Sequence, residues 1–215
     1  MEILEPVPAG TRETALNLLL ISIDSLRLDC VGRTNPKIRT PRFDLLTRPY
    51  CFYERFFSVS SATRPVHTSL FTGLYPFEHG ILGQHYSRTR QGLSHIFGLF
   101  RQKGFAVGAF SEVPQIFANL DFGIDSLHSA PGFLRRNPHT PKCLFLHYWG
   151  AHTPYGAADG RALGETARLL NRGQTRTVIA RYTAAVQFLF ENKLVPLLER
   201  LDPREWCVIL SLIHI

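Results

Sequence analysis

A short apolar run near the beginning of the chain constrains the fold most. Residues 18–23 are apolar except for Ser22, and the acidic residue Asp24 follows directly. A run of this length, apolar at successive positions, is typical of a strand that is buried on both faces, as in a parallel sheet. The sequence therefore predicts an α/β fold that begins with this strand.

Strand-like and helix-like segments alternate along the rest of the chain. Further strands are predicted at residues 105–110, 143–148 and 206–209. Helices are predicted near residues 41–48, 64–72, 93–103, 114–119 and 175–200, the last one interrupted or kinked near Pro196. The stretch 129–142 holds three prolines and one glycine and is predicted to be a loop. This pattern predicts a mostly parallel central sheet with helices on both faces.

Two polar side chains are predicted to meet at one edge of this sheet. Asp24 follows the first strand, and ligands of open α/β sheets bind beyond the carboxyl ends of strands. Asp24 is therefore a candidate cation ligand, although an aspartate there could equally cap a turn or helix. Thr63 stands at the start of the predicted helix 64–72, where the helix dipole and free N–H groups favour an anion. A hydroxyl beside a metal-binding carboxylate is a candidate nucleophile toward phosphate or sulfate.

The two segments, with others in the same order, resemble the sulfatase and alkaline phosphatase superfamily. Sulfatase-like members open with an apolar strand ending in Asp, often as IDSLRAD, and continue with TPNLD. Their nucleophile motif begins with Cys, Ser or Thr, then x-P-S and Arg or His, and ends L-x-T-G-x-x-P-x-x-H-G; GYRTAAF and FLHYxxPHxPY follow. The matching segments here are residues 23–29, 40–44, 63–67, 70–73, 76–80, 104–110 and 145–155. The similarity runs in order from about residue 18 to residue 209.

The resemblance implies a covalent reaction at Thr63, assisted by a divalent metal. Mn, Zn, Mg or Ca is expected to bind Asp24 and the Thr63 oxygen, which lowers the pKa of the hydroxyl. Thr63 would attack an anionic phosphate or sulfate ester, and water or an alcohol would release the covalent intermediate. His67 and His152 are the expected partners of the anion or of the leaving oxygen. Either histidine could instead be an ordinary, partly buried imidazole.

Departures from the family pattern favour phosphate over sulfate. Sulfatases of the formylglycine type need Cys or Ser at the nucleophile position and Arg at the position of His67, whereas Thr63 cannot be oxidised to the aldehyde. Glu112 stands where those enzymes carry a lysine, and a carboxylate there would repel a dianion. We therefore expect a phosphate ester hydrolase. A phosphoalcohol transferase of the same superfamily and a non-catalytic anion-binding relative are the alternatives.

The C-terminal residues depart from the pattern in another way. The family's remaining metal ligands are expected in a TSDHG segment just past strand 206–209, but this chain reads Ser-Leu-Ile-His-Ile to residue 215. His214, in an apolar tail, is not an adequate substitute, so the chain as given is expected to be inactive. Residues 210–215 also match the in-frame translation of a common transposase adapter end, which predicts a non-native tail. Residues 1–15 are expected to form an N-terminal extension, and 16–209 the N-terminal part of a sulfatase-like catalytic domain.

Composition and charge exclude several other classes of protein. The formal net charge is +7, from 24 Lys and Arg against 17 Asp and Glu, but the cations are scattered and form no recognised nucleic-acid motif. We therefore expect an anionic substrate and no nucleic acid. No signal peptide and no run of about 20 apolar residues is visible, so we expect a cytoplasmic location and no membrane segment. The oligomeric state stays open.

The cysteines indicate neither a zinc cluster nor a disulfide framework. The four cysteines are widely spaced and form no C-x-x-C pair, which argues against zinc held by thiolates. Cys143 and Cys207 fall in predicted strands, where we expect them to pack as small hydrophobic residues.

Overall fold

A single parallel sheet organises the part of the chain that the computed structural model describes, residues 15–85, 87–155 and 164–213. In these ranges its strands are β1 (Asn17–Asp24), β2 (Ala106–Ser111), β3 (Ile124–Ser126), β4 (Lys142–Tyr148) and β5 (Trp206–Ile213). Their order across the sheet is β3-β2-β4-β1-β5, and every neighbouring pair is parallel. The predicted α/β fold with a parallel sheet is confirmed.

Helices cover both faces of the sheet. In the described ranges they are α1 (Pro41–Thr47), α2 (Thr63–Thr72), α3 (Pro76–His79), α4 (Ile96–Gln102), α5 (Ala130–Arg136), α6 (Glu165–Asn171), α7 (Thr175–Leu189) and α8 (Val195–Leu198). Because side chains alternate along a strand, β1 contributes to two separate cores. Leu19, Ile21 and Ile23 pack in one core with residues of α1, α5 and α7. Leu20 packs in the other core with residues of α2 and α4.

Helix α2 is the element that reaches the carboxyl edge of β1. It starts at Thr63 and ends at Gly73, whose left-handed backbone (φ 73°) closes the helix, as the sequence predicts. Phe71 of α2 is buried against the sheet and packs on Phe145 of β4, with their ring centroids 4.9 Å apart. This packing fixes α2 over the face of the sheet to which β1 contributes the side chains of Leu20, Ser22 and Asp24.

One predicted element was wrong, and another is refined by the structure. The stretch 129–142 is not a continuous loop, because α5 lies within it and Pro131 occupies the first turn, where a missing N–H removes no helical hydrogen bond. The predicted long helix 175–200 is interrupted close to Pro196, as expected, and the interruption is a π-helical segment, Phe190–Leu194. Pro196 itself lies in the first turn of α8, for the same reason as Pro131 in α5.

Strand β5 is longer and more exposed than predicted. It runs to Ile213 and pairs with β1 along its whole length, from Asn17↔Trp206 to Asp24↔Ile213. Cys207 is exposed because β5 lies at the edge of the sheet, which corrects the expectation that it packs in the core; Cys143 is buried as expected. Residues 1–14 of the predicted extension 1–15, and His214, fall outside the described residues. None of the described helices has the length and apolarity needed to cross a membrane.

Candidate active site

A row of polar side chains crosses three neighbouring strands near their carboxyl ends. Ser22 of β1 pairs in register with His147 of β4, and His147 pairs with Ser111 of β2. All three side chains are fully buried. Asp24 lies two residues beyond Ser22, so its side chain points to the same face of the sheet. The next row below is apolar and consists of Leu20, Phe145 and Ala109. The buried polar side chains therefore lie at the carboxyl ends of the strands, on the face of the sheet that α2 covers.

Thr63 and Asp24, the two residues predicted to act together, are in direct contact. The Thr63 hydroxyl (Oγ1) donates a hydrogen bond of 2.9 Å to Oδ2 of Asp24, and both side chains are buried. Ser25 donates a second hydrogen bond of 2.9 Å to Oδ1 of Asp24. Thr63 is also the first residue of α2, where the helix dipole favours negative charge. A hydroxyl, a carboxylate and a helix N-terminus thus meet at one point.

The Asp24 carboxyl is held in its charged form despite its burial. Burial alone would raise the pKa of Asp24. The contacts with His147, Thr63 and Ser25 act in the opposite direction and together hold the pKa below its ordinary value of 3.8. Asp24 is therefore a carboxylate at neutral pH and can accept the Thr63 proton or bind a cation.

His147 completes this arrangement, and sequence reasoning did not assign it a role. Its Nε2 atom lies 3.5 Å from Oδ2 of Asp24, the oxygen that accepts the Thr63 hydrogen bond. Its Nδ1 atom is hydrogen-bonded to the Ser111 hydroxyl at 2.8 Å. Nε2 itself has no well-formed hydrogen bond to any of the described residues. The signal was present in the sequence: His147 follows Cys143 and Phe145 at two-residue spacing, and a polar residue on that buried face is unusual.

His67 is placed differently from the prediction. Its ring is fully buried, Nδ1 donates to the Thr63 carbonyl at 2.8 Å, and Nε2 accepts from the Ser22 hydroxyl at 2.9 Å. Both nitrogens are thus engaged within the protein, so in this arrangement neither is available to an anion or a leaving group. The alternative of a buried imidazole fits this geometry better. Its two hydrogen bonds tie the first turn of α2 to β1 and so help to hold Thr63 in place.

Acid is expected to destabilise the protein through His67. Burial, and then the electrostatic effect of the neighbouring His147 ring, lower the pKa of His67 from 6.5 to about 3. At a pH between about 3 and 6.5, His67 binds a proton in the unfolded state but not in the folded state. The free energy of unfolding should therefore fall by up to about 1.4 kcal/mol for each pH unit below 6.5. Urea unfolding of the wild type and of His67→Gln at neutral pH and at about pH 4.5 measures this.

In this experiment the His67→Gln protein should lose less stability than the wild type on acidification. Both pH values of the experiment lie above the range in which Asp24 takes up its proton, since the pKa of that carboxyl is below 3.8. Equal losses in the two proteins would contradict the assignment of a neutral, buried His67.

His152 lies on the loop after β4 and does not contact the other predicted residues. Its ring stacks on Trp149 with centroids 3.6 Å apart, and Nδ1 donates to the Thr153 carbonyl at 2.8 Å. Among the described residues no hydrogen bond or ion pair joins it to Asp24 or Thr63. The stacking orients the ring, but its predicted role as acid or anion ligand stays a prediction.

Glu112 does not present the isolated negative charge that the sequence suggested. Its Oε1 atom pairs with the Lys193 ammonium at 2.5 Å, and its Oε2 atom accepts a 2.7 Å hydrogen bond from the backbone N–H of Trp149. Lys193 comes from the π-helical segment, 81 residues away in the chain. The expected repulsion of a dianion by Glu112 is therefore reduced, because a cation neutralises the carboxylate.

The residues present fit a divalent cation in their chemistry. Asp24 offers a carboxylate, Thr63 a hydroxyl oxygen, and His147 a buried ring nitrogen without a hydrogen-bond partner among the described residues. Carboxylate, oxygen and imidazole donors are the ligands of Zn²⁺ and Mn²⁺ sites. Within the described ranges no cluster of three or more His, Cys, Asp or Glu side chains is positioned to hold a metal ion, so any site here depends on the Thr63 oxygen.

Comparison with known proteins relates this architecture to hydrolases. Residues 18–98 match the family model described as type I phosphodiesterase / nucleotide pyrophosphatase. That segment contains β1, Asp24, α2 and Thr63. Comparison with curated proteins finds no match.

Solved structures share the fold over nearly the whole chain at low identity. A Bacteroides fragilis protein named as a candidate sulfatase matches with a TM-score of 0.71 at 16% identity, covering 97% of this chain and 64% of its own. A 2-O GAG sulfatase matches with a TM-score of 0.73 at 13% identity, covering 93% and 58%. The phosphonate monoester hydrolase of Agrobacterium radiobacter matches with a TM-score of 0.63 at 16% identity, covering 93% and 62%.

The present chain therefore spans about three fifths of the length of these structures. Both phosphonate and sulfate ester hydrolases are among them, so the fold alone does not separate the two substrate classes. Residues 18–98 are thus similar to a phosphodiesterase family, and the chain has the fold of these sulfatase and hydrolase structures.

Proposed function

We propose that the protein is a metal-dependent hydrolase of phosphate esters that uses Thr63 as a covalent nucleophile. The observation that carries the proposal is the 2.9 Å hydrogen bond from the Thr63 hydroxyl to Asp24, at the carboxyl end of β1 and the first residue of α2. Few other functions need a hydroxyl, a carboxylate and a helix N-terminus at one buried point. The family-model match to phosphodiesterases supports the same reaction class.

The residues of the chain have separate tasks in this proposal. Asp24 orients the Thr63 hydroxyl and accepts its hydrogen bond, while Ser25 donates a second hydrogen bond to the carboxylate. The N-terminus of α2 favours the negative charge of the substrate anion. Asp24 and Thr63 would hold the divalent cation, which would supply Lewis-acid stabilisation of charge and lower the pKa of the hydroxyl.

The proposed reaction has two displacements at phosphorus. In the first, the Thr63 oxygen forms a bond to phosphorus, the bond from phosphorus to the ester oxygen breaks, and the alcohol leaves with a proton. In the second, water attacks the phosphothreonine, releases phosphate or a phosphate monoester, and returns the hydroxyl to Thr63. Since Thr63 cannot form the formylglycine aldehyde, sulfate esters are the less favoured substrate.

Mass spectrometry of the covalent intermediate tests this function. The protein is incubated with Mn²⁺ or Zn²⁺ and bis(p-nitrophenyl) phosphate, p-nitrophenyl phosphate or p-nitrophenyl sulfate, and is then quenched with acid and digested. The missing TSDHG segment suggested an inactive chain, but the contact between Thr63 and Asp24 supports activity. We therefore expect nitrophenolate release from a phosphate ester, and a phosphoryl adduct on the peptide that contains Thr63. Turnover of the sulfate ester alone would contradict the phosphate preference. No release and no adduct with any metal would contradict the hydrolase proposal and favour an anion-binding relative.

A further inference from the structure

The buried Nε2 atom of His147 is the polar group that the structure leaves least explained. His147 is fully buried, and Nε2 has no hydrogen-bond partner among the described residues. A buried polar atom without a partner destabilises the folded state. Its nearest charged neighbour is Oδ2 of Asp24 at 3.5 Å, which is too long for a strong hydrogen bond. Nε2 and Oδ2 thus lie close together without forming a strong hydrogen bond.

The distance from Nε2 of His147 to Oδ2 of Asp24 matches the distance between two ligand atoms that bind one metal ion. Zinc binds imidazole nitrogen and carboxylate oxygen at about 2.0–2.2 Å in tetrahedral geometry, which separates two ligand atoms by roughly 3.4 Å. The observed separation of Nε2 and Oδ2 is 3.5 Å. We infer that Nε2 of His147 is a ligand of the same cation as Asp24, and that the cation site of this chain is Asp24, His147 and Thr63. The inference rests on the proposed function for the presence of a cation at Asp24.

Ser111 supports this role by orienting the ring. Its hydroxyl oxygen accepts the backbone N–H of Val113 at 3.0 Å, which fixes it next to Nδ1 of His147 at 2.8 Å. When Nδ1 donates its proton to that oxygen, the lone pair of Nε2 points toward Asp24. Metal-binding histidines commonly make such a hydrogen bond through their second nitrogen, which fixes the tautomer. The alternative tautomer, with a proton on Nε2, would make His147 a hydrogen-bonding counter-ion of Asp24 instead.

The ligand set also narrows the choice of metal. One imidazole nitrogen with a carboxylate and a hydroxyl oxygen suits Zn²⁺ or Mn²⁺, whereas Mg²⁺ and Ca²⁺ prefer oxygen ligands throughout. Of the four metals that the family resemblance allows, this site should therefore bind Zn²⁺ most tightly. Three protein ligands leave one tetrahedral position open, as in catalytic zinc sites.

Calorimetric titration with Zn²⁺ alone tests the inference without reference to activity. His147→Gln should weaken Zn²⁺ binding by about 100-fold or more, and Ser111→Ala by about 10- to 100-fold. Asp24→Asn should weaken it to at least the same degree as His147→Gln. The matched control is His79→Gln, because His79 is also a fully buried histidine with a 2.9 Å contact to a serine hydroxyl, here that of Ser69. This control should bind Zn²⁺ with an affinity close to that of the wild type.

The outcomes separate the inference from the proposed function. Loss of binding in Asp24→Asn with unchanged binding in His147→Gln overturns the role of His147 and leaves the site at Asp24 intact. A wild type that binds no Zn²⁺ overturns both. If His147→Gln does not fold, ¹⁵N spectra of the wild-type imidazoles decide instead. A Zn²⁺-dependent shift of the His147 Nε2 resonance is expected, and its absence at saturating Zn²⁺ overturns the inference.

Discussion

Replacing Thr63 by alanine should reduce hydrolysis of bis(p-nitrophenyl) phosphate to the background rate, a loss of at least about 10⁴-fold in kcat/KM. The substitution removes the oxygen that attacks phosphorus and, with it, the hydrogen bond to Asp24. No neighbouring hydroxyl among the described residues replaces it, since Ser25 points to the other carboxylate oxygen and Ser22 is engaged with His67. The measurement is the initial rate of nitrophenolate release at saturating Zn²⁺ or Mn²⁺.

The matched control for this loss is Thr63→Ser. Serine keeps the nucleophilic oxygen and the contact with Asp24 and removes one methyl group, so we expect activity within about 10- to 100-fold of the wild type. In this variant the phosphoryl adduct should appear on the serine introduced by the substitution, in the same peptide. Activity retained by Thr63→Ala at the wild-type level would show that another group or a water molecule attacks the ester.

The central part of the fold could be predicted because its sequence signals are local. The apolar run that forms β1 is short, is flanked by polar residues and is followed by Asp24, and the structure has the strand at Asn17–Asp24. Helix α2 carries its own end signal in Gly73, whose left-handed backbone is accessible to glycine. The segment 129–142 lacked such clarity, because Pro131 is equally compatible with a loop and with the first turn of a helix. Tertiary packing of Phe133 against the core decides in favour of the helix.

The candidate site was predictable only in the part that lies next to the strand and helix ends. Asp24 and Thr63 could be paired because each follows from the position of its element. His147 and Ser111 could not be placed, because their meeting depends on the order of β1, β4 and β2 across the sheet. A sequence with parallel strands does not fix that order. The same holds for Glu112 and Lys193, which are 81 residues apart in the chain and come together only through tertiary packing.

Burial of His67 illustrates how context changes the role of a motif residue. At its position the family pattern allows Arg or His, and a side chain near the nucleophile was predicted to meet the anion. In the structure one helical turn places its ring below Thr63, facing the sheet, where it fills the space between Ser22 and Phe117. Arg64, adjacent to Thr63, is also buried and donates to the carbonyls of Ile116 and Ala118. These two side chains of α2 thus fix the helix rather than face solvent.

Phe145→Ala should cost about 3–5 kcal/mol of unfolding free energy, the largest stability loss that we expect from a single core substitution. Phe145 is completely buried in the middle of β4. Its ring lies 4.9 Å from that of Phe71, 6.1 Å from that of Phe97 and 5.7 Å from that of His67. It therefore supports α2 and α4 together, and its removal leaves a cavity that rigid neighbours cannot close. Urea unfolding followed by circular dichroism measures the loss.

Phe188→Ala is the matched control, because it removes the same aromatic ring from an exposed position and so isolates the effect of burial. Phe188 lies on α7 with 54% of its surface exposed, so Phe188→Ala should change stability by no more than about 0.5 kcal/mol. Because Phe145 packs against His67 and Phe71 of α2, the Phe145→Ala variant should also lose Zn²⁺ affinity, since Thr63 would no longer be held firmly against Asp24. A Phe145→Ala protein as stable as Phe188→Ala would mean that α2 is held by other contacts, and the rigid placement of Thr63 would then need another origin.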